Sequence, residues 1–222
     1  MTTVARRAPA SLVWVAVFAA AFALVEASVV IYLRALYYPG GFAFPLRELP
    51  AGFLRLEIAR EAATILMLLA VGAIAGAKPW EKFGYFMFAF GVWDLLFYFW
   101  LLVTTGWPAS LFEWDILFLI PVPWIGPVIA PVLIALLMIA CGGIIPLRVA
   151  AGRRFHPGLL SWSLGLAATL LVLWSFVAGP DAGLRAALPA SYHYELLVCG
   201  LAAYIAAFVL ACRALPADAA PR

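Results

Sequence analysis

The sequence predicts an all-α, polytopic membrane bundle of about six transmembrane helices, built as a single integral membrane domain over residues 1–222. Three observations predict it. The chain is 67% hydrophobic and only 11% charged, where soluble domains average about 45–50% apolar and about 25% charged. Several uninterrupted apolar runs have the roughly 20 residues needed to cross a bilayer as a helix. No segment shows the short alternation of apolar and polar residues that a membrane β-barrel requires.

The first span is expected over Leu12–Leu33, after a short polar lead holding Arg6 and Arg7. The apolar run continues past the loosely cleavage-like Val25-Glu26-Ala27, which favours an uncleaved span over a signal peptide. The connection Tyr37–Gly52 holds Pro39, Pro45 and Pro50 with three glycines and is not a long helix. Its Tyr37, Tyr38, Phe42 and Phe44 suit the membrane surface. The second span is expected at about Arg55–Ala77 and the third at about Phe83–Val103, with a turn carrying Lys78, Pro79, Glu81 and Lys82 between them. The third span is crowded with aromatics and carries Asp94 near its middle.

Leu111–Leu147 is too long for one ordinary crossing. Pro121, Pro123, Pro127 and Pro131 stand at intervals no helix tolerates, so 111–127 is expected as a proline-broken segment. It would comprise a short piece over Leu111–Leu119, a break, and then a full span over about Pro127–Leu147. A broken helix at membrane depth can mark a site, because such backbone survives only when buried in protein or lining a wet cavity. The fifth span is expected at about Leu159–Val177 and the sixth at about Tyr194–Cys212. Cys141, Cys199 and Cys212 lie in apolar runs without metal-ligand spacing and read as small hydrophobes.

Six spans put both termini on one side. That side receives nine basic residues (Arg6, Arg7, Lys78, Lys82, Arg148, Arg153, Arg154, Arg213 and Arg222) and the other side five. The positive-inside rule therefore predicts cytoplasmic termini. Of the eleven acids, only Glu81 and Asp218 fall on the cytoplasmic side of that scheme.

One stretch breaks the apolar pattern. In Leu56–Leu69, residues Glu57, Arg60, Glu61 and Thr64 share one helical face at spacings of three and four. A charged group costs about 2.5–3.5 kcal/mol at the centre of a membrane helix, and less toward its ends, so these need partners. With a rise of about 1.5 Å per residue, Glu26, Glu61 and Asp94 would lie about 10, 9 and 14 Å below the outer surface. Glu26, Arg34, Glu57, Arg60, Glu61, Asp94 and Asp115 are thus the predicted ligand-binding residues. Arginine pairs would neutralise one or two of the carboxylates. Those left over would be held neutral, hydrated or bound to a cation.

Several chemistries are excluded. His156 and His193 fall on opposite faces of the membrane, which removes two-histidine haem and multi-histidine zinc or copper sites. Both lysines lie in one turn, so none can carry a buried Schiff base. No HExxH, GxSxG, P-loop or GxGxxG pattern is present. No cofactor and no metal is predicted, and the net charge of +3 gives no case for nucleic acid. The expected partners are membrane lipids and a lipid or small-molecule ligand.

Two segments carry a likeness. WDLLFYFW (Trp93–Trp100) and FEWDILFLIPVPWIGPV (Phe112–Val128) resemble a group of uncharacterised bacterial multi-pass membrane proteins, over roughly residues 26–135. The resemblance implies a bacterial inner membrane and carries no known activity.

Three functions fit these residues. The first is a carboxylate and arginine pocket in the outer half of the bilayer, walled by the first three spans and covered by Tyr37–Gly52 and the broken piece. It would bind a small polar, cationic or lipid ligand; in an enzyme, Glu57, Glu61 or Asp94 would be the general base. The second is a structural subunit of a larger membrane complex, with a membrane-protein partner and the acids as a bracket. The third is a proton- or cation-coupled transporter.

Overall fold

The computed structural model describes residues 3–40, 50–119, 122–177 and 191–213. Six helices are present, each long and apolar enough to cross a membrane: α1 (Thr3–Tyr37), α2 (Ala51–Ala75), α3 (Pro79–Thr105), α4 (Ile129–Ala150), α5 (Leu159–Val177) and α6 (Tyr194–Arg213). The chain is a multi-pass membrane protein. The helix centres match the expected spans; α1 and α3 run past their apolar runs at both ends, α5 coincides with its expected span, and α2 stops and α4 starts slightly inside theirs.

The segment 111–127 departs from the broken helix that the prolines suggested. It forms a two-stranded antiparallel hairpin, β1 (Trp114–Phe118) and β2 (Trp124–Pro127), with Asp115 opposite Gly126 and Ile116 opposite Ile125. The physical reason lies in how backbone groups are satisfied. Prolines deny this stretch a helical ladder, and a hairpin lets the two arms pair with each other instead. Pro127 closes the second strand, and Pro131 sits in the first turn of α4, where a missing N–H costs nothing. Gly126 is required by packing: a Cβ there would stand 2.8 Å from the Phe176 ring.

The helices alternate in direction. At one end, the Tyr85 hydroxyl near the start of α3 donates to the Ala8 carbonyl near the start of α1. Arg148 at the end of α4 donates to the Cys212 carbonyl at the end of α6, 2.7 Å away. The chain's two ends therefore share this terminal end of the bundle. The hairpin, the end of α1 and the start of α2 share the other, called here the hairpin end.

Small residues let the helices approach. In lipid there is no hydrophobic drive between helices, so close backbone packing substitutes for it. Ala19, Ala23 and Ala27 of α1 are fully buried at a spacing of four, and Phe22, Leu68, Ala89 and Trp93 complete the core where α1, α2 and α3 meet. The α3–α4 crossing is tightest at Gly142, where a Cβ would lie 2.5 Å from the Phe88 nitrogen and 2.8 Å from the Gly84 oxygen. A second core joins the α5–α6 pair to the hairpin and α4 through Ala130, Val172, Phe176, Tyr192 and Leu197.

Candidate functional site

The polar face of α2 turns inward. Glu61, Thr64, Leu68 and Gly72 are buried, whereas Ile58, Leu66, Met67 and Leu69 on the opposite faces are exposed. A stripe at helical spacing thus points one row of side chains at α1 and α3 and gives the rest to lipid. Among its members, Arg60 is the hub. Its guanidinium pairs with Glu26 of α1 and with Glu57 one turn back, at 2.5 Å from Nη2 to Oε1 and 3.0 Å from Nε to Oε2. The second contact is the bidentate geometry that arginine favours with carboxylates. Thr64 donates its hydroxyl to Glu26 Oε1 at 2.7 Å, so Glu26 is held by two groups of α2.

Glu61, the next member, reaches the hairpin. Both its carboxylate oxygens accept the backbone N–H of Leu119, at 3.1 and 2.9 Å. Leu119 lies just past β1, so a carboxylate in a membrane helix fixes the inner end of the hairpin. At the hairpin's other side, Asp115 is 3% exposed and accepts from Arg34 of α1 at 3.0 Å and from the Tyr98 hydroxyl of α3 at 3.2 Å. Burial pushes the Asp115 carboxyl above its ordinary range, and the Arg34 charge works against that shift. The Arg34 guanidinium also lies 3.9 Å over the Trp107 ring, a cation–π contact.

Asp94 differs from all of these. It makes no hydrogen bond or ion pair with the described residues, although it stands within electrostatic reach of Asp115. It is half-buried and lines a cavity of about 1000 Å³.

That cavity gathers the site. Glu26, Arg34, Glu57, Arg60, Glu61, Asp94 and Asp115 all line it. The seven residues thus border one space. The walls are wider than the first three spans. Phe118 and Trp124 of the hairpin, Ile134 and Met138 of α4, Thr169 and Leu173 of α5, and Tyr204 of α6 also line it. Charged groups occupy the part near the hairpin end, and the walls supplied by α4, α5 and α6 are apolar except for the Thr169 and Tyr204 hydroxyls, which are 2.8 Å apart. The cavity is thus amphipathic along its length. Among the described residues, no group of three or more His, Cys, Asp or Glu side chains is arranged to hold a metal ion.

Residues missed by sequence reasoning are Tyr98, Trp107 and the Leu119 amide. Tyr98 stands one helical turn beyond Asp94 and carried a usable signal, a hydroxyl on the face of an intramembrane acid. The amide carried none, because nothing in the side chain of a leucine marks its backbone as a ligand. Most of the expected cover, residues 41–49, lies outside the described residues. Glu113, two residues before Asp115, accepts from the Ala109 amide at 3.1 Å. No family model, curated protein or solved structure matches the chain.

Proposed function

We propose that this chain is a bacterial inner-membrane protein with cytoplasmic termini, whose pocket in the outer half of the bilayer binds a membrane amphiphile. The polar head sits among the carboxylates and the two arginines, and the apolar body runs along the aromatic wall toward α5 and α6. The single observation that carries this reading is the cavity: about 1000 Å³, charged at one end and apolar along the rest. Ligand sites are usually apolar clefts of about 300–1000 Å³ with a few convergent polar groups, and intramembrane ionisable groups are functional candidates by default. In a catalytic version, Asp94 is the carboxylate with no partner to surrender before it takes a proton. The wording of Trp93–Trp100 and Phe112–Val128, together with the nine-to-five distribution of basic residues, supports the membrane and the orientation.

One observation favours a structural role instead. Arg60 ties α1 to α2 through Glu26, and such a bracket could serve assembly alone. Native mass spectrometry separates the two. The purified protein should retain a single small amphiphile, and Glu61→Ala, which releases the hairpin wall of the cavity, should lose most of it with helical content intact. Adduct-free wild-type protein that is stable only with another membrane subunit would instead support the bracket.

A further inference from the structure

Resting on the pocket reading, we infer that the occupant is a single-chain amphiphile with a protonated amine head, and that Asp94 receives the ammonium. Among the described residues, the charge balance of the lining disfavours an anionic head. Among the described residues, five carboxylates and two guanidiniums face the cavity. Arg34 is engaged by Asp115 and Arg60 by Glu26 and Glu57. An incoming phosphate or carboxylate would have to displace one of these acids and leave it unpaired in a dry site, at the cost of a broken buried ion pair. A cation adds to the pattern without displacing anything.

Asp94 is the side chain the pattern leaves open. It is half-buried, makes no hydrogen bond or ion pair among the described residues and borders the cavity. Its helical neighbours suit an ammonium. Phe90 stands four residues before it and Phe97 three after, on the same face of α3, and both line the cavity. Trp93, between Phe90 and Phe97 in the ring stack, has centroids 5.4 and 6.3 Å from theirs. Aromatic faces attract cations and offer nothing to an anion. A carboxylate among such rings combines an ion pair with cation–π contacts.

Size sets the rest of the molecule. At about 30 Å³ per water-sized unit, the cavity has room for about 30 heavy atoms. That accommodates one alkyl or isoprenoid chain with a compact head. The apolar wall runs through Trp124 and Met138 to Leu173, so the chain has a path of its own.

The test ranks heads on a constant tail. The full chain is placed in phosphatidylcholine nanodiscs, and binding of dodecylamine, 1-dodecanol and dodecyl phosphate is measured with n-butylamine as the tailless control. Dodecylamine should bind about tenfold more tightly than the alcohol, and the phosphate and the butylamine should bind more weakly still. Asp94→Asn should reduce the amine's advantage to less than about threefold while leaving the alcohol's affinity unchanged; Phe90→Leu should reduce it in part. Dodecanol binding as tightly as the amine, or the phosphate binding best, overturns the amine head and leaves the pocket standing. An amine advantage that survives Asp94→Asn overturns the role of Asp94. Failure of every chain-bearing probe overturns the pocket as well. If Asp94→Asn does not fold, the wild-type ranking of the three heads still decides.

Discussion

Glu61 of α2 accepts the Leu119 amide with both carboxylate oxygens, at 3.1 and 2.9 Å, and so ties a transmembrane helix to the inner end of the hairpin. A hydrogen bond to a charged group contributes about 1.5–3 kcal/mol, and the half-buried amide would lose its acceptor. Glu61→Ala should therefore loosen the hairpin first. Hydrogen exchange of the amides in 114–119 should accelerate by at least about tenfold, with the helices little changed. Glu61→Gln keeps one carbonyl acceptor and should preserve most of the protection. Equal protection in the wild type and Glu61→Ala would show that the hairpin is held by something else.

Arg60 is the second support. It faces Glu26 on α1 and Glu57 on its own helix, and all three groups are largely buried. Removing one partner of a buried pair costs about 3–5 kcal/mol because the other charge is stranded. Arg60→Ala should lower thermal stability in detergent strongly. The double variant Arg60→Ala with Glu26→Gln should be more stable than Arg60→Ala alone, since one of the two stranded charges is gone. Additive losses in that double-mutant cycle would mean the pair is not coupled.

Much of this site was legible because membrane helices punish polar residues. Glu57, Arg60, Glu61 and Thr64 at spacings of three and four had to face protein, and they do. Counting residues from the ends of the spans brought Glu26, Glu61 and Asp94 to similar depths, and all three line one cavity. The prolines of 121–131 correctly ruled out a continuous helix. They did not say what replaced it, because a hairpin's pairing is a relation between two strands, and Trp114–Phe118 is too short for its period to show. The contribution of α5 and α6 to the pocket was hidden for a similar reason. Their lining residues, Thr169, Leu173 and Tyr204, are indistinguishable in sequence from lipid-facing or core positions.

The orientation has its own test. With cytoplasmic termini, a fluorescent protein fused after Arg222 should be bright and an alkaline phosphatase fused there inactive. The same phosphatase inserted in the 41–49 connection should be active. The reverse pattern would place the carboxylate end of the cavity on the cytoplasmic side and remove the outer-leaflet assignment.

The central claim is that the space between the helices holds a ligand, and it is tested most directly by filling that space without touching a charge. Met138 lines the cavity from α4, away from the charged cluster. Native mass spectrometry of the wild type and Met138→Trp, purified identically, should show one retained amphiphile on the wild type and none on the variant, with helical content unchanged. An identical adduct on both proteins, or none on either, would contradict the account.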